Sequence, residues 1–312
     1  MTDLVQRENE QPSIRRFDNI KTTSKESEWF HNFFNGNTKR SYLRAVKDFC
    51  KYLGIKTKDE LRSVQPAHVI AYRDYLHNQG LKESTIGNRL SGLSSLFDDL
   101  VKNQILQFNL AASVKRPKYH HNKVLSQRLT EQQTTEMLNG PNKTTLKGLR
   151  DWVFLSILFG IGCRISEVCG LSVKDKFQDA EYYVLKFMVK GGKEHTVAIS
   201  SPLQKRINQY LIMGGHADDP ESPLLLNYSR AIKEKVKHIT TMTGTRIWDQ
   251  YKVLEGTTPH SSRTTFASDA IKRGESLVNV QETLAHADPR TTQKYNKNEF
   301  NYQNSVALGA KI

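Results

Sequence analysis

The chain has 312 residues, of which 37% are apolar and 25% charged, a composition typical of a folded globular protein of about two domains. Its 46 lysines and arginines outnumber its 32 acidic residues, and the formal net charge of +14 favours a polyanionic partner, most commonly nucleic acid. Three cysteines exclude a disulfide framework, and no apolar run is long enough to cross a bilayer.

The cysteines and the first residues predict where the protein works. Cys50, Cys163 and Cys169 have spacings that fit no zinc module, and their small number favours a reducing cytoplasm. The opening segment "MTDLVQRENEQPSIRRF" is polar and lacks the apolar core of a signal peptide. We therefore expect a cytoplasmic protein with no membrane partner.

The chain starts with a weakly patterned polar segment, residues 1–28, which we expect to be a flexible tail. A first helical pattern follows, and either Asn37 or Thr38 is a suitable N-cap for it. Its apolar positions form one face at helical spacing: Tyr42, Val46, Phe49 and Leu53.

Two further helical patterns complete a predicted N-terminal domain over residues 29–111. The second begins at Pro66, ends at Gly80 and has the apolar residues Val69, Ile70, Tyr72 and Leu76. Ser84 is the expected N-cap of the third, whose apolar stripe contains Ile86, Leu90, Leu93, Phe97, Leu100 and Val101. Short loops between the patterns predict a compact helical bundle.

Residues 112–128 are predicted to be an interdomain linker, because they are basic, contain Pro117 and show no amphipathic period. Their charge suits a phosphate backbone, although a plain flexible connector has the same composition. Basic residues of the first helix and the linker are candidate DNA contacts: Lys39, Arg40, Arg44, Lys47, Lys115, Arg116 and Lys118. A third basic cluster contains Lys233, Lys235 and Lys237.

The second predicted domain, residues 129–312, is mainly helical with a small β-hairpin or sheet. Thr130 caps its first helix, and an apolar helix follows near residues 150–161. The segment "EYYVLKFMVKGGKEHTVAIS" contains two strand-like runs around Gly191 and Gly192, the pattern of a hairpin. Helices resume after Pro202 and in the last 60 residues.

Several polar residues of this domain are candidates for chemistry, and each also has a structural explanation. Arg164 can pair with Glu167, and Lys190 can be a solvated turn lysine. His260 can cap the helix that carries Arg263 one turn later.

A histidine lies at a predicted corner between two helices near the C-terminus. Ser276 caps the first helix, and Asp288 and Pro289 start the second. His286 lies between them, where it can bond a carbonyl or face a ligand. Tyr295 follows two turns into the second helix, where it is either a structural aromatic residue or a nucleophile.

The order of these residues resembles the catalytic set of the tyrosine recombinases, the family of phage integrases and Xer-type enzymes. The matching residues are Arg164 in "GCRISEVCGL", Lys190 in "VKGGKE", His260 and Arg263 in "PHSSRTTFAS", His286 in "LAHAD" and Tyr295 in "TTQKY". The separations of 23 residues from Arg263 to His286 and nine from His286 to Tyr295 are similar to the family's. The helical region resembles its core-binding domain, and residues 129–312 its catalytic domain.

A few positions depart from the family pattern. The glycine usual before the second histidine is Ala285, a replacement that we expect to be tolerated because alanine is small. Ser262 and Thr264 differ from the usual neighbours of the second arginine. Lys193 is close enough to Lys190 to leave the hairpin lysine open between them.

The resemblance implies DNA cleavage and rejoining through a 3′-phosphotyrosyl intermediate and a Holliday junction. Tyr295 would be the nucleophile, Lys190 the general acid and His260 the general base or an orienting group. Arg164, Arg263 and His286 would donate to the phosphate. Because bond energy is stored in the phosphotyrosine, no ATP is expected, and the sequence has no phosphate-binding glycine loop. No metal ion is expected either, because the sequence has no acidic cluster for two metal ions.

The family further implies a homotetramer on two double-stranded DNA sites, with related recombinases or accessory proteins as further partners, associated with the nucleoid. Integration and excision of a mobile element or phage is the expected role. Xer-like resolution of multimers is the alternative within the family. Outside it, relaxation of DNA as by a type IB topoisomerase uses similar residues, and a DNA-binding protein with an inactive site would need neither Tyr295 nor Arg164.

Overall fold

The computed structural model describes residues 29, 32–33, 36–117, 126–189, 191–228, 237–286, 288–289 and 291–292. These residues form two compact units, and the division lies between His121 and Asn122, within the predicted linker. The predicted tail over residues 1–28 lies outside the described residues. Within the described ranges, no helix has both the length and the apolar character that a membrane span requires.

Residues 36–117 of the N-terminal unit contain four helices where the sequence predicts three. They are α1 (Gly36–Leu53), α2 (Lys58–Arg62), α3 (Pro66–Asn78) and α4 (Glu83–Lys102). The additional helix α2 is a single turn, too short to show a period. A capping box starts it: Glu60 donates its N–H to the Thr57 hydroxyl, and its carboxylate accepts from the Thr57 N–H, each at 3.2 Å.

Two predicted helix caps of this unit are wrong. Helix α1 already includes Asn37 and Thr38, and the Asn37 side chain accepts a hydrogen bond from Arg40 at 2.6 Å. Helix α4 begins at Glu83, so Ser84 lies inside its first turn. The start of α4 is exposed, and its N-cap residue Lys82 makes no side-chain cap hydrogen bond, so water can satisfy the first N–H groups.

The core of the unit forms where α1 crosses α4. A Cβ atom at Gly92 would lie 2.8 Å from the Cβ of Ala45, so the crossing requires glycine at this position. The predicted stripe of α4 is buried from Ile86 to Leu100. In α3, Val69, Tyr72 and Leu76 are buried, whereas Ile70 is 38% exposed and lies beside the buried stripe.

The first residues of the predicted linker pack on this bundle. Val114 is buried in the core of the N-terminal unit. Arg73 of α3 donates to the Lys115 carbonyl at 3.2 Å, and Arg116 donates to the Ser91 hydroxyl of α4 at 2.7 Å. The segment that leaves the bundle is therefore held to it as far as Arg116.

The C-terminal unit is mainly helical around one small sheet. Its helices are α5 (Glu131–Asn139), α6 (Leu146–Ile161), α7 (Ile165–Cys169), α8 (Ser201–Gly214), α9 (Thr241–Tyr251), α10 (Pro259–Lys272) and α11 (Leu277–Thr283). Thr130 and Ser276 cap α5 and α11 as predicted. Helix α6 is buried along most of its length and forms the centre of the core.

Three antiparallel strands form the sheet in the order β1 (Lys176–Asp179), β2 (Tyr182–Val189) and β3 (Lys193–Ala198). The hairpin of β2 and β3 is the predicted one. The additional strand β1 has only four residues and no apolar alternation, so the sequence does not indicate it. Leu185 and Phe187 of β2 are buried in the core.

Helix α10 is fixed at its middle by the chain that enters this unit. Arg128 forms an ion pair with Asp269 at 2.5 Å, and the Leu129 N–H donates to the Thr265 hydroxyl at 2.9 Å. These contacts hold the helix that carries His260 and Arg263.

Candidate active site

Four of the six predicted catalytic residues lie together in the C-terminal unit: Arg164, His260, Arg263 and His286. Burial lowers the pKa of both histidines, and the charges of Arg263 and Arg164 lower it further, so the four side chains lie within electrostatic reach of one another. The other two predicted residues, Lys190 and Tyr295, lie outside the described residues, as does Lys118.

A left-handed turn presents Arg164. Gly162 is the C-cap of helix α6 with φ of +71°, and a Cβ there would lie 2.7 Å from the ring of Phe266. Only glycine adopts this conformation readily and fits this space. The chain then runs extended through Arg164, which precedes α7.

Glu167 orients Arg164. Its carboxylate accepts from Arg164 Nη1 at 2.7 Å and from the Arg164 backbone N–H at 2.6 Å. Glu167 is buried, whereas the Arg164 side chain is 36% exposed. The structural pairing suggested by the sequence is therefore present, and it holds an arginine whose guanidinium reaches solvent.

Arg263 is the most buried cation of the site, at 1% exposure. Its Nη1 donates to the Gly162 carbonyl at 2.9 Å, and its Nη2 donates to the Leu284 carbonyl at 2.5 Å. One guanidinium therefore joins the turn after α6 to the end of α11. The carbonyls fix its plane without adding a carboxylate charge.

His260 lies in the first turn of α10, and the prediction that it caps this helix is wrong. Thr258 is the N-cap, with its N–H donating to the Ser261 hydroxyl at 3.1 Å, and Pro259 is the first helical residue. The cap is therefore two residues earlier. His260 and Arg263 are three residues apart on this helix and lie on the same side.

Both histidines are held neutral. Burial, reinforced by the charges of Arg263 and Arg164, lowers the pKa of His260. The same causes, with a smaller contribution from His260, lower the pKa of His286 to about 3. Neutral imidazoles can accept a proton or donate one N–H group at physiological pH.

His286 occupies the predicted corner after α11. Its backbone N–H donates to the Gln281 carbonyl at 3.1 Å, and the Gln281 side chain donates to the His286 carbonyl at 3.1 Å. On the imidazole, Nδ1 lies 2.8 Å from the Thr292 hydroxyl. Sequence reasoning offered a carbonyl as its partner and did not identify this hydroxyl.

Ala285 has a left-handed backbone, with φ of 49°. We expected the replacement of the family's glycine to be tolerated because alanine is small. The structure shows that backbone conformation, and not side-chain size, favours glycine at this position. A left-handed residue with a Cβ is strained by about 1–2 kcal/mol. The turn that precedes His286 therefore contains a strained residue.

His195 is a further residue that sequence reasoning missed. Its Nε2 lies 3.0 Å from the Thr283 carbonyl, and because a carbonyl can only accept, Nε2 donates. This bond joins β3, the second strand of the hairpin, to the end of α11. It therefore connects the hairpin to the helix that leads to His286.

The predicted DNA contacts of the N-terminal unit lie mostly at its surface. Arg40, Arg44, Lys47, Lys115 and Arg116 are exposed, and Lys39 is half-buried. Arg44 is 3.9 Å from the Asp48 carboxylate. At this distance on a surface, an ion pair contributes little, so the arginine can exchange it for a phosphate.

Comparison with known proteins assigns the family. The model of the phage integrase family matches residues 127–302, and the model of the phage integrase N-terminal SAM-like domain matches residues 35–104. The chain belongs to the phage integrase family. As a tyrosine recombinase, it is a DNA strand-transferring enzyme of site-specific recombination.

Individual tyrosine recombinases are similar to this enzyme along most of its length. XerC of Myxococcus xanthus is 29% identical over 269 residues, which cover 83% of this chain and 86% of that protein. The crystal structure of XerH bound to palindromic difH substrate has a TM-score of 0.65 at 18% identity, covering 83% of this chain and 75% of that one. The Tn1549 transposon integrase in complex with circular intermediate DNA has a TM-score of 0.63 at 18% identity, covering 92% and 98%. The two structures share the fold of this recombinase.

The lowered pKa of His286 predicts that acid destabilises the recombinase. An unfolded histidine titrates near 6.5, whereas folded His286 has a pKa of about 3. Below about pH 6.5 the unfolded chain therefore binds a proton that the folded chain does not, and the free energy of unfolding falls as the pH falls. For this one group, the loss between pH 7 and pH 5 is on the order of 2 kcal/mol.

Urea unfolding of the full chain at several pH values measures this effect. His286→Gln should flatten the pH dependence over this range, whereas His238→Gln, at an exposed position, should leave it unchanged. An identical pH slope in wild type and His286→Gln would contradict the assigned shift.

Proposed function

We propose that this recombinase cleaves a DNA phosphodiester with Tyr295 and holds the phosphate with Arg164, Arg263 and His286. The observation that carries the proposal is the convergence of two arginines and two neutral histidines, which together form a cationic pocket. Such a pocket stabilises the negative charge that develops on the non-bridging oxygens in the transition state.

The two arginines have different parts in this proposal. Arg263 is buried and fixed by two carbonyls, so it provides a charge of constant position. Arg164 is partly exposed and oriented by Glu167, so its guanidinium can meet an incoming phosphate. Donors that are oriented before the reaction need not reorganise during it, which is the main advantage of such a pocket.

His260 is the proposed general base for Tyr295. A tyrosine hydroxyl has a pKa of about 10, so it needs a proton acceptor at neutral pH. His260 is neutral and can accept that proton. A phosphate bound by the arginines would offset part of their positive charge and raise the pKa of His260 towards the value that suits a base.

Lys190 is the proposed general acid. It follows Val189 at the end of β2, and β3 is tied to α11 by the bond from His195 to the Thr283 carbonyl. This bond supports a hairpin that stays beside the site. Lys193 begins β3 and is the alternative acid.

Two proton transfers accompany the proposed cleavage. The Tyr295 oxygen forms a bond to phosphorus while its proton passes to His260. The bond from phosphorus to the 5′ oxygen breaks, and the lysine provides the proton that makes a 5′-hydroxyl. The 3′-phosphotyrosyl bond then retains the energy for the reverse attack by the 5′-hydroxyl of a partner strand, so no nucleotide hydrolysis is needed.

We further propose that a tetramer brings two double-stranded DNA sites together through a Holliday junction. The exposed basic residues of α1 and the segment around Arg116 support phosphate contacts by the N-terminal unit. The three free cysteines support a reducing cytoplasm, where the enzyme would act on nucleoid DNA.

Integration and excision of a mobile element is the biological role that we propose. The similarity to XerC favours a second role, the resolution of multimers, because it covers most of both chains. Mapping covalently trapped sites in the source genome separates the roles: sites at the ends of one element support the first, and one site on each replicon supports the second. Strand exchange between two labelled sites would distinguish both from relaxation by a topoisomerase.

A nicked suicide substrate tests the nucleophile. Wild type should become covalently joined to a duplex that carries its site, because the cleaved strand diffuses away. Tyr295→Phe should bind this DNA with unchanged affinity and form no covalent complex, since only the attacking oxygen is removed. A covalent complex of the phenylalanine variant would contradict the assignment.

A substrate with sulphur in place of the bridging 5′ oxygen tests the general acid. A thiol has a pKa of about 8.5 and leaves without a proton, so a variant that lacks the acid should cleave it at nearly the wild-type rate. Lys190→Ala should slow cleavage of the oxygen substrate by about 10²–10⁴-fold and be rescued by sulphur.

Lys193→Ala is the matched control in the same hairpin. It should cleave both substrates at similar rates. If Lys193→Ala alone shows the rescue, Lys193 is the acid. If neither variant shows it, the hairpin does not provide the acid.

A further inference from the structure

Thr292 makes a buried contact with a proposed phosphate donor. Its hydroxyl oxygen lies 2.8 Å from His286 Nδ1, and the two residues are 1% and 8% exposed. A hydroxyl can donate or accept, and so can a neutral imidazole, depending on which nitrogen carries the proton. The distance alone therefore permits two arrangements of the hydrogen atoms.

The rest of the corner limits the movement of His286. Its backbone is bonded to Gln281 by two hydrogen bonds of 3.1 Å. With the backbone held, the remaining choices are the orientation of the ring and the position of its proton. Thr292 contacts the ring directly and can determine both.

The chemistry of the proposed function selects one arrangement. A neutral imidazole has a single N–H group, and the lowered pKa of His286 keeps it neutral. If Nδ1 carried the proton, the only donor of the ring would point at Thr292. For His286 to donate to a phosphate through Nε2, Nδ1 must accept, and Thr292 must donate.

We propose that Thr292 is a positioning residue that donates its hydroxyl hydrogen to His286 Nδ1 and thereby keeps the imidazole proton on Nε2, facing the phosphate. The tautomer follows from the structure together with the proposed function, on which this inference rests. A partner that fixes a histidine tautomer commonly determines which ring nitrogen acts.

The position of Thr292 gives this contact a second consequence. Thr292 is three residues before Tyr295 in the sequence and belongs to the helix that Pro289 starts. One hydrogen bond therefore joins the proposed phosphate donor to the segment that leads to the proposed nucleophile. The orientation of the His286 ring therefore depends on the packing of that segment against it.

Histidine ring nitrogens labelled with ¹⁵N report the tautomer directly. Long-range proton–nitrogen spectra of the full-length chain distinguish a protonated from an unprotonated ring nitrogen, and the signals missing in His286→Gln identify His286. Wild type should show a protonated Nε2 and an unprotonated Nδ1. Thr292→Val, which keeps the shape of the side chain and removes the hydroxyl, should shift the population towards a protonated Nδ1.

Two variants control for packing. Thr292→Ser keeps a hydroxyl and should retain the wild-type tautomer even if the valine variant folds poorly. Thr291→Val makes the same change at the adjacent position and should leave the His286 signals unchanged. A protonated Nδ1 in wild type and Thr292→Ser, or an unchanged tautomer in folded Thr292→Val, would overturn the proposal.

Single-turnover cleavage of the suicide substrate gives the functional readout. Thr292→Val should lower the cleavage rate by about 10- to 100-fold at unchanged DNA affinity. Thr292→Ser, which keeps the hydroxyl, should retain most of the wild-type rate. In a His286→Ala background, Thr292→Val should lower the cleavage rate little further, because both substitutions remove the same interaction. An undiminished effect in that background would show that Thr292 acts independently of His286 and would overturn the proposal.

Two outcomes separate the positioning contact of Thr292 from the proposed cleavage activity. If wild type forms no covalent complex while the tautomer still depends on Thr292, the proposed function fails and the positioning contact stands. If wild type cleaves DNA while the His286 tautomer does not depend on the Thr292 hydroxyl, the positioning role of Thr292 is wrong and the proposed function stands.

Discussion

A buried arginine holds together the two turns on which the candidate active site depends. Arg263 reaches the Gly162 carbonyl in one turn and the Leu284 carbonyl in the other, at 2.9 and 2.5 Å. Burying a guanidinium costs several kcal/mol unless its N–H groups are bonded, and the carbonyls bond them without a negative charge of their own. The fold therefore maintains a positive charge where α6, α10 and α11 meet.

The other features of the site follow from that charge. Burial, reinforced by this charge and that of Arg164, keeps two nearby histidines neutral, and the positive charge favours an anion that enters beside Arg164. The turns that it joins have unusual backbones, with left-handed φ values at Gly162 and Ala285. Carbonyls, a carboxylate and a hydroxyl thus contact the two arginines and His286, and in the proposed function these partners decide which N–H groups face the phosphate.

Local signals predicted much of the fold, and long-range packing determined what they missed. Thr130 and Ser276 start helices as predicted because a side-chain cap acts within one turn. The order of basic residues and tyrosine identified the family, but it cannot indicate the bond between His195 and Thr283, which are 88 residues apart. The helix α2 and the strand β1 are too short to show a period.

The structure of the wild-type recombinase trapped on its cleaved DNA site would show whether Tyr295 and the two arginines act on one phosphate. We expect a phosphate that is joined to Tyr295 and lies within hydrogen-bonding distance of Arg164, Arg263 and His286 Nε2. Lengths of about 2.7–3.1 Å to each donor would agree with oriented, charge-assisted bonds. A phosphate bound away from the two arginines, or joined to another residue, would show that these residues do not form the active site.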